Sequence, residues 1–76
     1  MNKAKQKLAE MNAGKSLRIL MEERDIAAGE LGKDLNISDT TVSSLRKNKL
    51  ISGKNLVMLA GYFCITSADF IRKGEE

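Results

Sequence analysis

Histidine, proline and tryptophan are absent from this chain, cysteine occurs once, and the aromatics are one Tyr and two Phe. Without histidine there is no imidazole general base and no histidine metal site. Cys64, with no histidine to pair with, makes no catalytic dyad. A single cysteine cannot close an internal disulfide, which suits a reducing compartment such as the cytoplasm. The glycines do not fall in the spacing of a phosphate-binding loop. No apolar run approaches the ~20 residues of a membrane span, and the basic start lacks the apolar stretch of a signal peptide. These absences point away from enzyme chemistry, cofactors and membranes.

The 76 residues suffice for one domain, near the lower limit for a self-sufficient core. With 42% hydrophobic residues but so few aromatics, the core must draw on Leu, Ile, Val, Met and Ala, a mixture that favours helices over a sheet. Net charge is only +3, yet it is unevenly spread. Residues 1–24 carry six Lys/Arg against three Glu, residues 25–45 one Lys against four acids, and residues 46–76 six basic groups against three acids. That basic–acidic–basic layout is compatible with a polyanion contacted at two places, and equally with a solvated surface.

Apolar spacing predicts an all-α domain of five short helices. Residues 1–13 are rich in helix formers but offer only Leu8 and Met11 as apolar anchors, so they read as a basic helical extension or a mobile arm. Beyond Gly14, Leu17, Leu20 and Met21 fall at i, i+3 and i+4 and make an apolar stripe. Ile19 lies off that stripe and is expected to pack against the N-terminal segment, a partner surface being the lesser alternative. Leu31 and Leu35 mark a second helix, and Asn36 tolerates the left-handed conformation that ends one. Ser38 is a good N-cap, with Asp39 in the first turn where negative charge suits the helix dipole. Val42 and Leu45 then supply the buried stripe of a third helix over about 38–47. Ser52 or Gly53 opens a fourth, with Leu56, Leu59, Ala60 and Phe63 on its inner face. Ser67 is read as the cap of a last helix that buries Phe70 and Ile71. The domain runs from 14 to 72, and 73–76 is a tail.

The second and third of these helices, joined through Asn36-Ile37-Ser38, meet the physical demands of a helix-turn-helix. A small residue is needed where the backbones approach, and Gly32 is there. Leu31, Leu35, Ile37, Val42 and Leu45 are spaced to pin both helices to the core. The polar face left on the third helix carries Asp39, Thr40, Ser43, Ser44 and Lys47, whose N-terminal part can reach base edges in a major groove. Arg46, Lys47, Asn48 and Lys49, with Lys54 at the next helix start, form the densest basic group and are placed to hold phosphates.

In these segments the chain resembles the lambdoid-phage repressor and Cro-like helix-turn-helix family, also called the XRE family. "GKSLRILMEERDI" looks like that family's first helix, "ELGKDLNISDTTVSSL" its helix-turn-helix, and "KNLVMLAGYFCITSADFI" its final two helices. The resemblance implies a lambda-repressor-like domain without enzymatic activity or cofactor. It implies a sequence-specific regulator, a Cro-like phage or mobile-element repressor, that binds a two-half-site operator in double-stranded DNA as a homodimer. Asp39, Thr40, Ser43 and Ser44 become candidate base readers, with Thr40 and Ser44 one turn apart. Ser38, Thr41, Arg46, Lys47, Asn48, Lys49 and Lys54 become candidate phosphate contacts. Tyr62, Phe63 and Ile65 become candidates for a twofold dimer contact.

Three departures from that family's pattern stand out. Where its second helix opens with a capping hydroxyl and a phosphate-binding Gln, this chain has Ala27 and Ala28. Where an Arg of the first helix pairs with a Glu of the recognition helix, it has Met21 and Arg46, so Arg46 is left to face phosphate or to reach Glu22 or Glu23. At the first recognition position it has Asp39, which can accept from cytosine N4 but repels phosphates. These departures keep a rival open: a protein-interaction module, an antitoxin or antirepressor, that kept the fold and lost base readout.

Overall fold

The computed structural model describes residues 11–75. The greater part of the expected N-terminal arm, residues 1–10 with Leu8, lies outside the described residues, and so does the packing expected of Ile19 against it. Five helices follow: α1 (Ala13–Arg24), α2 (Ala28–Leu35), α3 (Asp39–Lys47), α4 (Gly53–Tyr62) and α5 (Ser67–Lys73). The all-α helix-turn-helix architecture expected from the sequence is therefore the observed one. None of the described helices is long and apolar enough to cross a membrane.

Small polar side chains start four of the five helices. Asn12 accepts from the Lys15 amide, Ser38 from Thr41, Ser52 from Asn55 and Thr66 from Asp69, at 3.0–3.1 Å. Each satisfies one of the amides that a helix start leaves without an internal partner. Two boundaries differ from the sequence reading. Helix α1 begins at Ala13, with Gly14 inside it, because Asn12 rather than Gly14 makes the boundary. Helix α5 is capped by Thr66, not Ser67, which is its first residue. Helix α2 has no side-chain cap, since Ala27 offers no acceptor.

The helix ends repeat one device. Asp25, Asn36 and Cys64 all adopt the left-handed conformation (φ 56°, 58° and 60°). In each case the amide of the next residue reaches back five positions: Ile26 to Met21, Ile37 to Gly32, Ile65 to Ala60, at 2.8–3.0 Å. This is the Schellman closure. The isoleucine that follows each left-handed residue folds back onto the core. The sequence reading recognised only the one at Asn36.

Ala13, Leu17, Leu20, Met21, Leu31, Val42, Leu59, Ala60, Phe63 and Phe70 form the buried core, and Leu35, Ile37, Leu45, Leu56 and Ile71 pack half-buried against it. Helix α1 is the hub, lying against both α3 and α5, while α2 packs on α3 and α4 on α5. Its first turn is unusually close to its neighbours. The amides of Ala13 and Gly14 donate to the carbonyls of Lys49 and Asn48 at 2.8 and 2.9 Å. A Cβ on Gly14 would stand 2.6 Å from the Arg46 carbonyl oxygen and 2.8 Å from that of Asn48. Buried Ser16 donates to the Ile71 carbonyl, and Gly74 lies against the Asn12 carbonyl and Ser16. The start of α1 thus holds both the loop after α3 and the end of α5.

Candidate nucleic-acid interface

Helices α2 and α3 close on each other at Gly32. A Cβ there would lie 3.0 Å from the Ile37 carbonyl oxygen and 3.3 Å from Val42 Cγ2, so a hydrogen is what the crossing accommodates. Asn36 takes the left-handed turn, and Ile37 tucks inward. Val42 is buried and Leu45 half-buried, which fixes the rotation of α3 and turns its remaining side chains to solvent.

At 100° per residue, Thr40, Ser43, Ser44 and Lys47 share the face of α3 opposite Val42, and all four are exposed. Asp39 and Arg46, seven residues apart, lie on one flank. There they line a shallow depression with Val42 and Ser43 of α3 and with Ala28 and Gly29 at the start of α2. An Asp39 carboxylate oxygen comes within 3.9 Å of where a Gly32 Cβ would be, so this carboxylate lies back over the α2–α3 crossing. Thr41 lies on the other flank, its hydroxyl 2.9 Å from that of Ser38. The four candidate base readers therefore split into an outward group (Thr40, Ser43 and Ser44) and one flank residue, Asp39.

The basic group is arranged by the contact of α1 with the loop. The carbonyls of Asn48 and Lys49 face α1 and accept its first amides, and the side chains of Asn48 and Lys49 remain exposed. Lys54 stands exposed in the first turn of α4. Arg46 does not reach Glu23, which is paired with Lys73 at 2.8 Å. Instead Arg46 and Lys47 share a depression with Ser43 and Arg18 of α1. Sequence reasoning did not single out Arg18. Its place in α1 was legible, but which helix that face of α1 would meet was not.

The adjoining part of the same flank is mixed in charge. Glu22, Asp25 and Glu30 gather with Arg18 and Arg46 around the uncapped start of α2. The sequence-level substitution of Ala27 and Ala28 for polar residues is thus matched by carboxylates around the first amides of that helix.

The dimer candidates separate. Phe63 is 0% exposed, a core residue, and its side chain cannot meet a partner without unfolding. Its carbonyl accepts from Arg24 Nη2 at 2.9 Å, and the Arg24 guanidinium lies 5.7 Å from its ring centroid. Tyr62 and Ile65 are half-buried. The Tyr62 hydroxyl donates to Asp34 Oδ2 at 2.6 Å, and its ring meets Phe63 edge-on at 5.1 Å. That hydrogen bond, with burial and the negative field of Asp34 and Glu30 adding to it, pushes the phenol up to about 12. Tyr62 is thereby a clasp between α4 and the helix-turn-helix.

No curated protein and no solved structure matches the chain significantly. The family model of the Cro/C1-type helix-turn-helix DNA-binding domain does, over residues 16–72, from the first turn of α1 to the last of α5. With a turn closed at Gly32 and Asn36, a third helix rotated so that its hydroxyls face outward, and a match over most of its length, the chain belongs to the Cro/C1-type helix-turn-helix DNA-binding family.

Proposed function

We propose that this DNA-binding domain acts as a small transcriptional regulator of Cro type, of phage or mobile-element origin, working in the cytoplasm as a homodimer on a two-half-site operator. The observation that carries the reading is the exposed face of α3, where Thr40, Ser43, Ser44 and Lys47 project together beside Arg46 and the Asn48–Lys49 loop. A recognition helix in a major groove needs short hydrogen-bonding groups outward and cations at its rim. Thr40, Ser43 and Ser44 read base edges in this reading, and Asp39 reads one cytosine from the flank. Ser38, Thr41, Arg46, Lys47, Asn48, Lys49 and Lys54 hold phosphates.

Short hydroxyls and one carboxylate make none of the bidentate guanine contacts that give strong direct readout. Specificity is therefore modest per base and shared with DNA shape. With Phe63 in the core, the twofold contact falls to the outer side of α4. There Val57, and Leu50 just ahead of the helix, are 65% and 78% exposed. Two such domains read half-sites one helical turn apart, about 34 Å centre to centre.

The acidic rim of Glu22, Asp25 and Glu30 favours the second reading, a protein-interaction module descended from a DNA binder. Selection of binding sites from random duplex DNA separates the two. A regulator returns a two-half-site motif, and Asp39→Ala relaxes one base pair of each half-site by about 1–3 kcal/mol. Identical logos for wild type and variant would reduce Asp39 to a helix-start stabiliser. Recovery of no motif at all would favour the interaction module.

A further inference from the structure

We propose that Arg18 completes a phosphate seat between α1 and α3, and that this seat replaces the anchor usually provided by the start of the second helix in this fold. The inference rests on the DNA-binding reading and deepens it. Arg18 Nε donates to the Gly14 carbonyl at 3.2 Å, which tethers the guanidinium by one edge and, among the described residues, leaves both terminal nitrogens to donate elsewhere. Gly14 is itself fixed, because its amide is bonded to the Asn48 carbonyl. The tether therefore references Arg18 to the same loop that follows the recognition helix.

Among the described residues, Arg18, Ser43, Arg46 and Lys47 line the depression: three cations and a hydroxyl drawn from two helices. Ser43 and Lys47 belong to the outward face of α3, so an anion in this depression touches the face that enters the groove. A guanidinium fork with two free donor nitrogens suits a phosphate diester better than a point charge does. The adjoining depression at the uncapped start of α2 shares Arg18 and Arg46 and adds Glu22, Asp25 and Glu30, whose carboxylates oppose a phosphate there. A phosphate is therefore favoured on the side of the two arginines that faces Ser43 and Lys47, where no carboxylate lines the depression.

The test is binding of a random DNA duplex over a range of salt, by fluorescence anisotropy, with circular dichroism to confirm the fold. Arg18→Ala should flatten the log–log salt slope by about 0.9 per phosphate contact per subunit. Arg18→Lys should keep the slope, since the charge remains. Arg72→Ala, whose guanidinium pairs with Asp69 on α5, should leave it unchanged. If Arg18→Ala fails to fold, Arg18→Gln makes the same comparison with a longer neutral chain. A wild-type slope in the folded Arg18 variant, while Lys47→Ala flattens it, overturns the seat and leaves DNA binding intact. Wild-type protein that binds no duplex even at low salt overturns the DNA-binding reading and the seat together.

Discussion

Gly14→Ala is a one-carbon change in a helix, where alanine is ordinarily the better residue by about 0.5–1 kcal/mol. Here the added Cβ would stand 2.6 Å from the Arg46 carbonyl oxygen, 2.8 Å from the Asn48 carbonyl oxygen and 2.9 Å from the Arg46 carbonyl carbon. All three are backbone atoms, so no side chain can swing aside. Relief requires α1 to move off the end of α3, which costs about 1–3 kcal/mol as overpacking. That movement also stretches the Ala13–Lys49 and Gly14–Asn48 hydrogen bonds, each worth about 0.5–1.5 kcal/mol. Set against the helix gain, the net loss is about 1–5 kcal/mol, from a total of about 4–11 kcal/mol for a domain of this length. The melting temperature should fall by at least about 4 °C. Gly29→Ala is the control, since its Cβ would meet nothing within 4 Å, and it should gain the helix propensity alone. Thermal and urea melts by far-UV circular dichroism read both variants. The reasoning is refuted if Gly14→Ala matches or exceeds wild type in stability, as Gly29→Ala is expected to do. Because the Asn48 and Lys49 carbonyls are held by the start of α1, a folded Gly14→Ala variant should also bind duplex more weakly than its stability alone explains.

At the helix-turn-helix crossing, Gly32→Val should cost about 1–3 kcal/mol, since its Cβ already stands 3.0 Å from the Ile37 carbonyl oxygen. Asn36→Gly, at φ 58°, should be neutral or stabilising, and a clear drop in urea midpoint would show that the Asn36 side chain matters beyond its backbone conformation. At Tyr62 the folded protein holds the phenol proton to about 12 against an ordinary 10, so folding favours the protonated form. The associated stability is fully present below about pH 10 and is lost as pH rises towards 12. Tyr62→Phe should remove that part of the pH dependence, and parallel stability curves for the two proteins across this range would exclude the Asp34 clasp.

The sequence by itself determined the helix-turn-helix. Leu31 with Leu35 and Val42 with Leu45 fix two apolar stripes, and the three residues between the two helices, Asn36, Ile37 and Ser38, carry a left-handed turn, an inward isoleucine and a capping hydroxyl. Each of these signals is local, set by spacing within about one turn or by the conformational tolerance of one residue, and local physics acts before the chain has folded. Asn36 was legible because asparagine bears the left-handed conformation better than most residues. Asp25 and Cys64 adopt it too, each followed by an isoleucine, Ile26 and Ile65, that packs against the core. The tertiary structure alone decided which faces meet. Phe63 fitted both a core and a dimer reading until the packing of α4 enclosed it, and Arg18 was one exposed cation among several until α1 lay against α3. Gly14 looked like a break before a helix, yet it sits inside one, because two carbonyls from more than thirty residues away leave no room for a Cβ. Periodicity tells how a helix is rotated towards a core, whereas the identity of its neighbour depends on how five stripes close over one another in three dimensions.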